Sequence, residues 1–355
     1  MINHSYNVIG VMSGTSLDGI DLAYITFSKD ADWSFKIVVA ETISYSDKWF
    51  KTLKNLTLLT ASELITLDEE YTTYLSTVIN QFISKNKIEN IDAVCSHGHT
   101  ALHQPDQGFT KQIGNLPKLA SLINQTLVCD FRVEDVALGG QGAPLVPIGD
   151  RLLFSDYDWC INLGGFANIS SEINSNRIAF DICPVNIVLN KYVESLGFNY
   201  DDEGRIAKKG NFNSELFESL NRLAFYNEQP PKSLGLEWVE KEVFPMINSY
   251  NLNTEGILHT YVKHIAFQIT QIINATNNAS VLITGGGAFN LFLIEEIQKI
   301  TSNQLIIPST KIIEFKEALI FGFLGVLKLR EEVNCLKSVT GATKDHSSGM
   351  IYFPA

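Results

Sequence analysis

Three short glycine turns each follow an apolar, strand-like run: Gly14 to Gly19, Gly164-Gly165, and Gly285-Gly286-Gly287. Glycine lets the backbone approach a phosphate without a β-carbon in the way, and the turn amides point inward as donors. A single turn of this kind reads equally well as a hairpin. Three of them, in two halves of similar plan, point to a nucleotide clamped between domains. Asp18 and Asp21 flank the first turn and could position Mg²⁺ directly or through water; turn-capping for Asp18 and a solvated strand position for Asp21 are the plain alternatives. Two other phosphate-binding patterns are excluded. No Gly-Lys-Ser/Thr occurs, and the first turn leads into a strand rather than a helix.

Other residues have chemistry to offer. Asp181 ends the run Ile178-Ala179-Phe180 and precedes Cys183-Pro184. A carboxylate at the carboxyl end of an α/β strand sits where such folds bind ligands, which makes it a candidate general base. Its competing role is the N-cap of a helix starting near Pro184. Arg132 follows the strand-like Leu127 to Asp130 and could grip a substrate carboxylate with two hydrogen bonds, or simply pair with Glu134 or Asp135. His97, His99 and His103 cluster after another strand. No matching carboxylate or cysteine spacing supports a metal there, and polar contacts to a hydroxylated ligand fit better.

These residues need a scaffold, and the chain supplies two. Strand, glycine turn, strand occurs at Tyr6 to Phe27 and again at Trp159 to Ile173, with a further strand at Arg177 to Ile182. Helical spacing marks Ala61 to Ile83, Leu116 to Ile123, Thr254 to Ala275, Asn290 to Ile300 and Lys316 to Arg330, and the alternation of elements predicts an α/β protein. The texture changes at Ala137 to Pro147, whose Gly139-Gly140-Gln141-Gly142-Ala143-Pro144 core cannot be an element interior. It is either a linker or a loop over a ligand. The expected division is a first domain of 1–135 plus about 335–355, and a second of 136–334.

Bulk properties narrow the class. The 355 residues are 45% hydrophobic and 19% charged, enough for two globular cores. A formal charge of −12 argues against nucleic-acid and anionic-membrane partners. Five widely spaced cysteines with no Cys-x-x-Cys pair predict buried thiols in a reducing compartment. The start lacks a secretory pattern and the longest apolar run, Ala318 to Leu327, is half a membrane span, so a cytoplasmic location is expected.

The run Gly10-Val11-Met12-Ser13-Gly14-Thr15-Ser16-Leu17-Asp18-Gly19-Ile20-Asp21 closely resembles the opening signature of the anhydro-N-acetylmuramic acid kinases. Matches continue in order at Ser96 to Thr100, Gln112 to Gly114, Asp130 to Arg132, Gly139 to Pro147, Asn162 to Gly165, Pro231 to Ser233, Gly285 to Asn290, Glu317-Ala318 and Ser338 to Ala342. The resemblance implies an actin-like (ribonuclease H-like) two-domain sugar-kinase fold with ATP in the interdomain cleft, a homodimer, and a role in cell-wall recycling. It implies that the 1,6-anhydro bridge of the muramic sugar is opened and the released oxygen phosphorylated. Gly14, Thr15, Ser16, Leu17, Asp18, Gly19, Ile20 and Asp21 would hold ATP, with Gly164, Gly165, Gly285, Gly286, Gly287 and Asn290 completing its site. Asp18 would stand near Mg²⁺, Asp181 would be the base, and His97, Arg132 and Glu317 would contact the amino sugar. Two alternatives share the fold: a kinase for another amino sugar, and an actin-like ATPase switch without sugar turnover. The first is prompted by the loop after Asp181. The family has Thr-Gly-Pro-Gly-Asn there and this chain has Ile182-Cys183-Pro184-Val185-Asn186, so added side chains are expected to narrow the sugar pocket. His99 stands where Gln is usual.

Overall fold

The computed structural model describes residues 4–14 and 17–355. Thr15 and Ser16, expected in the first phosphate turn, lie outside the described residues. In chain order the strands are β1 (Ser5–Ser13), β2 (Ile20–Lys29), β3 (Trp33–Ile43), β4 (Ala93–Gln104), β5 (Phe109–Ile113), β6 (Leu127–Cys129), β7 (Trp159–Leu163), β8 (Phe166–Ile173), β9 (Asn176–Pro184), β10 (Ser280–Thr284), β11 (Gln304–Ile306) and β12 (Met350–Tyr352). They fall into two compact units. One comprises residues 1–153 and 315–355, the other 154–314. The glycine-rich stretch 137–147, expected near a boundary, lies inside the first unit.

The first unit carries a seven-stranded sheet in the order β12-β6-β4-β1-β2-β3, with β5 hydrogen-bonded to β4. β1, β2 and β3 form an antiparallel meander, while β4 pairs parallel to β1 and β6 parallel to β4. The second unit repeats the plan: β7, β8 and β9 are the antiparallel meander, β10 pairs parallel to β7 and β11 parallel to β10. This is the ribonuclease H-like strand order, present twice, as the repeated strand–turn–strand pattern predicts. Parallel strands buried on both faces need continuous apolar runs. Val8, Ile9 and Val11 in β1, and Val281, Leu282 and Ile283 in β10, meet that need.

Helices cover these sheets for local reasons. Helix Ala61–Lys85 starts on a reciprocal cap, in which Thr60 accepts from the Glu63 amide while the Glu63 carboxylate accepts from the Thr60 amide. Such a cap is worth about 1 kcal/mol. Its Leu67, Tyr71, Leu75, Val78 and Phe82 form the buried stripe. Helix Thr310–Leu329 breaks its helical geometry at Phe315, where the chain returns to the first unit, and then runs so close to β1 that only glycine fits at position 10. A β-carbon on Gly10 would lie 1.9 Å from the Ala318 carbonyl oxygen. In the second unit, helix Thr254–Ile273 is capped by the Asn253 side chain and buries Leu258, Tyr261, Val262, Ile265 and Ile269 in the core. Helix Asn186–Val193, expected near Pro184, and short helices between 205 and 249, which the sequence does not announce, complete that core. All five cysteines are free and buried. No helix among the described residues is long and apolar enough to cross a membrane.

Candidate active site

In the second unit the two later glycine turns meet. Gly164-Gly165 joins β7 to β8, and Gly285-Gly286-Gly287 follows β10, the parallel neighbour of β7. Both therefore sit at carboxyl ends of adjacent parallel strands, where open α/β sheets bind ligands. Gly285 takes φ +80°, and a β-carbon there would meet the Asn162 side chain at 2.6 Å. Gly287 is pressed on Leu163, whose Cβ would be 2.7 Å from an added methyl. Gly165 and Gly286 are different. Both are exposed, and a β-carbon at either would find no protein atom nearer than 4.0 and 3.9 Å respectively. Their amides are open to an anion, so these residues fit a nucleotide phosphate. Asn186 closes the group by donating from Nδ2 to the Leu163 carbonyl at 3.2 Å. Asn290 is buried and its Oδ1 accepts from the Leu293 amide at 3.0 Å, capping helix Leu291–Ile300.

Asp181 belongs to the same unit. β9 runs two residues further than the sequence suggests, to Pro184, so Asp181 lies within a strand paired with Asn168 and is not a helix cap. Its backbone amide donates to the Lys232 carbonyl at 3.0 Å, and its Oδ2 accepts from the Leu234 amide at 2.8 Å. The loop Pro231 to Leu234 thus fixes both backbone and carboxylate. Lys232 is itself held, with Nζ donating to the Phe225 carbonyl at 3.0 Å and lying 4.4 Å above the Phe225 ring. Burial raises the Asp181 pKa above the ordinary carboxylate value, partly offset by the Leu234 hydrogen bond. A fixed carboxyl with raised basicity suits proton abstraction. The loop's role had a sequence signal, since Pro231-Lys232-Ser233 was among the matched motifs, but nothing in the sequence tied it to Asp181.

The expected narrowing by Cys183 and Val185 is not what the side chains do. Both are fully buried in the hydrophobic core of the second unit, and Val185 has φ −125°. Neither position requires the left-handed backbone that favours glycine. The replacement of two glycines adds bulk to the core, and so gives no reason to expect a different sugar.

In the first unit, residues gather at the carboxyl ends of β1, β4 and β6. Ser13 ends β1, and its Oγ lies 2.5 Å from the Tyr45 hydroxyl, 2.9 Å from the Tyr71 hydroxyl and 2.8 Å from His99 Nδ1. This buried network fixes the strand end that leads into the first glycine turn. Within the described part of that turn, the Leu17 amide donates to the Gly14 carbonyl at 3.4 Å, and Gly19 packs so closely on β3 that a β-carbon would meet the Ile43 carbonyl oxygen at 2.6 Å. Ile20 opens β2 and is fully buried. Asp21 pairs with Met12 across the hairpin and accepts from Thr42 Oγ1 at 2.5 Å, a structural position on β2.

Arg132 is gripped at two points. Its Nε donates to His97 Nε2 at 2.8 Å and its Nη1 donates to the Gly142 carbonyl at 2.6 Å. His97 Nδ1 lies 2.9 Å from the Gly98 carbonyl and donates to it, which leaves Nε2 as the acceptor that Arg132 needs. Burial and the neighbouring guanidinium hold the His97 pKa well below its ordinary value, so the ring is neutral. The glycine-rich stretch is therefore the loop that holds this guanidinium, not a linker. Glu317 follows the helix break and keeps an accessible face although protein atoms crowd its carboxyl. That crowding raises its pKa, while Arg132 and Lys316 pull it down and the Asp18 charge adds to the rise. Glu317 is in turn the leading charge that favours ionised Arg132. Asp18, Arg132 and Glu317 are thus electrostatic neighbours within one unit, an arrangement able to read polar groups of both signs. The three histidines do not converge: His99 turns to Ser13, and His103 Nδ1 to Thr110 Oγ1 at 3.0 Å.

The comparisons agree with the matched motifs. The model of the anhydro-N-acetylmuramic acid kinase family matches residues 6–354. The chain is 33% identical over 376 residues to the anhydro-N-acetylmuramic acid kinase of Saccharophagus degradans, covering 98% of both chains. It is 30% identical over 377 residues to that of Haemophilus influenzae, covering 97% of both. With that of Pseudomonas fluorescens it shares 32% identity over 364 residues, covering 97% of this chain and 98% of the other. With two ribonuclease H-like sheets and relatives matched end to end, the chain belongs to the anhydro-N-acetylmuramic acid kinase family.

Proposed function

We propose that the chain uses ATP and water to convert 1,6-anhydro-N-acetylmuramic acid into N-acetylmuramic acid 6-phosphate. The observation that carries the reading is Asp181, a half-buried carboxylate of raised basicity anchored by the Pro231 to Leu234 loop. Asp181 takes a proton from water as its oxygen bonds to the anomeric carbon. The bond from that carbon to the bridging oxygen breaks, and this oxygen bonds to the γ-phosphorus of ATP as ADP leaves. One water, one sugar and one ATP give one sugar phosphate and one ADP, with the proton held on Asp181 and then lost to solvent.

In this reading the exposed amides of Gly165 and Gly286 take nucleotide phosphates, while Gly164, whose amide donates to the Phe166 carbonyl at 3.2 Å, shapes the turn. The turn from Gly14 to Asp21 serves the transferred end. Arg132, pre-aligned by His97 and Gly142, holds the lactyl carboxylate, and Glu317 accepts from sugar hydroxyls. Asp18, near Glu317, would help hold Mg²⁺, which supplies charge neutralisation during phosphoryl transfer. The family further suggests a cytoplasmic homodimer serving cell-wall recycling.

The test is turnover in water enriched in ¹⁸O, with ADP release followed by a coupled assay. The expected product carries phosphate on the sixth oxygen and the label on the anomeric oxygen. Label in the phosphate instead, or ADP release without sugar consumption, would overturn the reaction and favour an ATPase switch.

A further inference from the structure

Behind the loop that holds Arg132, three side chains unused by the proposed reaction converge from distant parts of the chain. Asp135 lies on the short helix Val133–Ala137, while Cys335 and His346 face each other across an isolated antiparallel bridge in the C-terminal return. A carboxylate oxygen, the thiol sulfur and an imidazole nitrogen lie within 4.8 Å of one another. The residues are 0, 1 and 6% exposed.

Proton accounting makes the cluster informative. His346 Nδ1 is 3.1 Å from the Lys344 carbonyl, so it donates there, and in the neutral ring Nε2 carries a lone pair. Nε2 is buried without a hydrogen-bond partner and faces Asp135 Oδ1 at 3.5 Å. That oxygen already accepts from Thr340 Oγ1 at 2.7 Å, and Oδ2 from the Gly142 amide at 2.7 Å. An acceptor nitrogen therefore looks at an acceptor oxygen, and a positive centre between them is missing: either a proton on the imidazole or a metal ion. The separation decides between these. A charge-assisted hydrogen bond would draw the two atoms to about 2.7–2.9 Å. A tetrahedral site with bonds of about 2.1 Å has edges of roughly 3.4 Å. A proton bridge also has no use for Cys335, whereas a metal does. An imidazole steadied through Nδ1 on a carbonyl is the usual posture of a metal ligand.

We propose that Asp135, Cys335 and His346 bind one thiophilic divalent transition-metal ion of the zinc class, which ties the C-terminal return to the Arg132 loop. Binding replaces the thiol proton, released to solvent, with a sulfur–metal bond. A divalent ion with one carboxylate, one thiolate and one neutral imidazole leaves no net charge, so the buried cluster avoids the penalty of an isolated ion. Burial and the Asp135 charge raise the Cys335 thiol pKa, with the Arg132 guanidinium pulling partly against them, so the metal must displace the thiol proton as it binds.

The probe is Co²⁺, titrated into the purified full chain and followed by absorbance. One equivalent is expected, with a thiolate-to-cobalt charge-transfer band in the near ultraviolet and tetrahedral visible bands, both lost on adding Zn²⁺. Cys335→Ser should remove the charge-transfer band, and His346→Gln should weaken Co²⁺ binding at least tenfold. A wild-type chain without the band overturns the proposal, whatever the variants do. A band that persists in folded Cys335→Ser places the metal on another thiol and overturns it equally. If Cys335→Ser does not fold, a Zn²⁺-dependent rise in wild-type melting temperature that His346→Gln abolishes supports the site, and one that His346→Gln retains refutes it.

Discussion

Replacing Asp181 by asparagine separates catalysis from architecture. Asparagine keeps an oxygen for the Leu234 amide, which now donates to Oδ2 at 2.8 Å, so the loop contact survives. What disappears is the proton acceptor. General-base catalysis typically contributes about 10²- to 10⁴-fold, so kcat should fall by that factor, a barrier increase of roughly 2.7–5.4 kcal/mol. Stability should move the other way. The folded pKa of Asp181 is raised by burial, so between the unfolded and folded values the native state holds more protons, and stability falls as pH rises through that window. At neutral pH the ionised carboxylate is thus a burden that asparagine removes. The assay pairs sugar-dependent ADP release with thermal unfolding and ATP titration calorimetry. A kcat within fivefold of wild type would remove Asp181 from the chemistry. A large loss accompanied by a lower melting temperature and lost ATP binding would make it a structural residue. Asp181→Ala serves as the contrast, because it strips the Leu234 amide of its acceptor and should cost about 1–3 kcal/mol of stability.

Arg132→Lys removes the Nε donor to His97 and the fork that grips a carboxylate. Losing about 1.5–3 kcal/mol of charge-assisted binding should raise the sugar KM about 10- to 150-fold with a smaller change in kcat; an unchanged KM would exclude a carboxylate contact. Gly286→Ala meets open space and should leave the melting temperature alone while raising the KM for ATP at least tenfold, whereas Gly287→Ala collides with Leu163 and should destabilise instead. Identical behaviour of the two variants would contradict the phosphate reading. Burial lowers the pKa of His99 to about 4 and of His264 to about 3. Because these folded values lie below the unfolded one of about 6.5, stability present above that pH is lost as pH falls, by about 2 kcal/mol per histidine at pH 5. Calorimetry should show midpoints several degrees lower at pH 5 than at pH 7.5, and a flat profile would refute the assignment.

The sequence disclosed those parts of the molecule that local chemistry dictates. The two meanders were legible because β-branched runs broken by glycine have few other solutions, and the cap and stripe of helix Ala61–Lys85 follow directly from Thr60, Glu63 and the apolar spacing. The helices between 205 and 249 escaped because they are short and draw their stability from tertiary packing rather than from a long amphipathic period. The end of β9 was misjudged because Pro184 reads as a strand terminator, yet it is the last residue of β9. Arg132 could be named from its place after β6, but its grip depends on His97 from β4 and Gly142 from a loop, a convergence that only the sheet order creates. Position alone also suggested that Cys183 and Val185 would line a pocket, when the end of β9 and the entry to helix Asn186–Val193 carry them into the core.

The second unit is one uninterrupted stretch of chain, while the first is left unfinished until residues 315–355 arrive to lay Ala318 against Gly10 and β12 against β6. On a translating ribosome the inner unit can therefore close as soon as residue 314 is clear of the exit tunnel. The outer one must wait, with the apolar flank of its sheet unshielded, for the final forty or so residues. A stop that removes residues 315–355 should consequently yield chains that retain a sound inner unit yet need a chaperone to stay in solution.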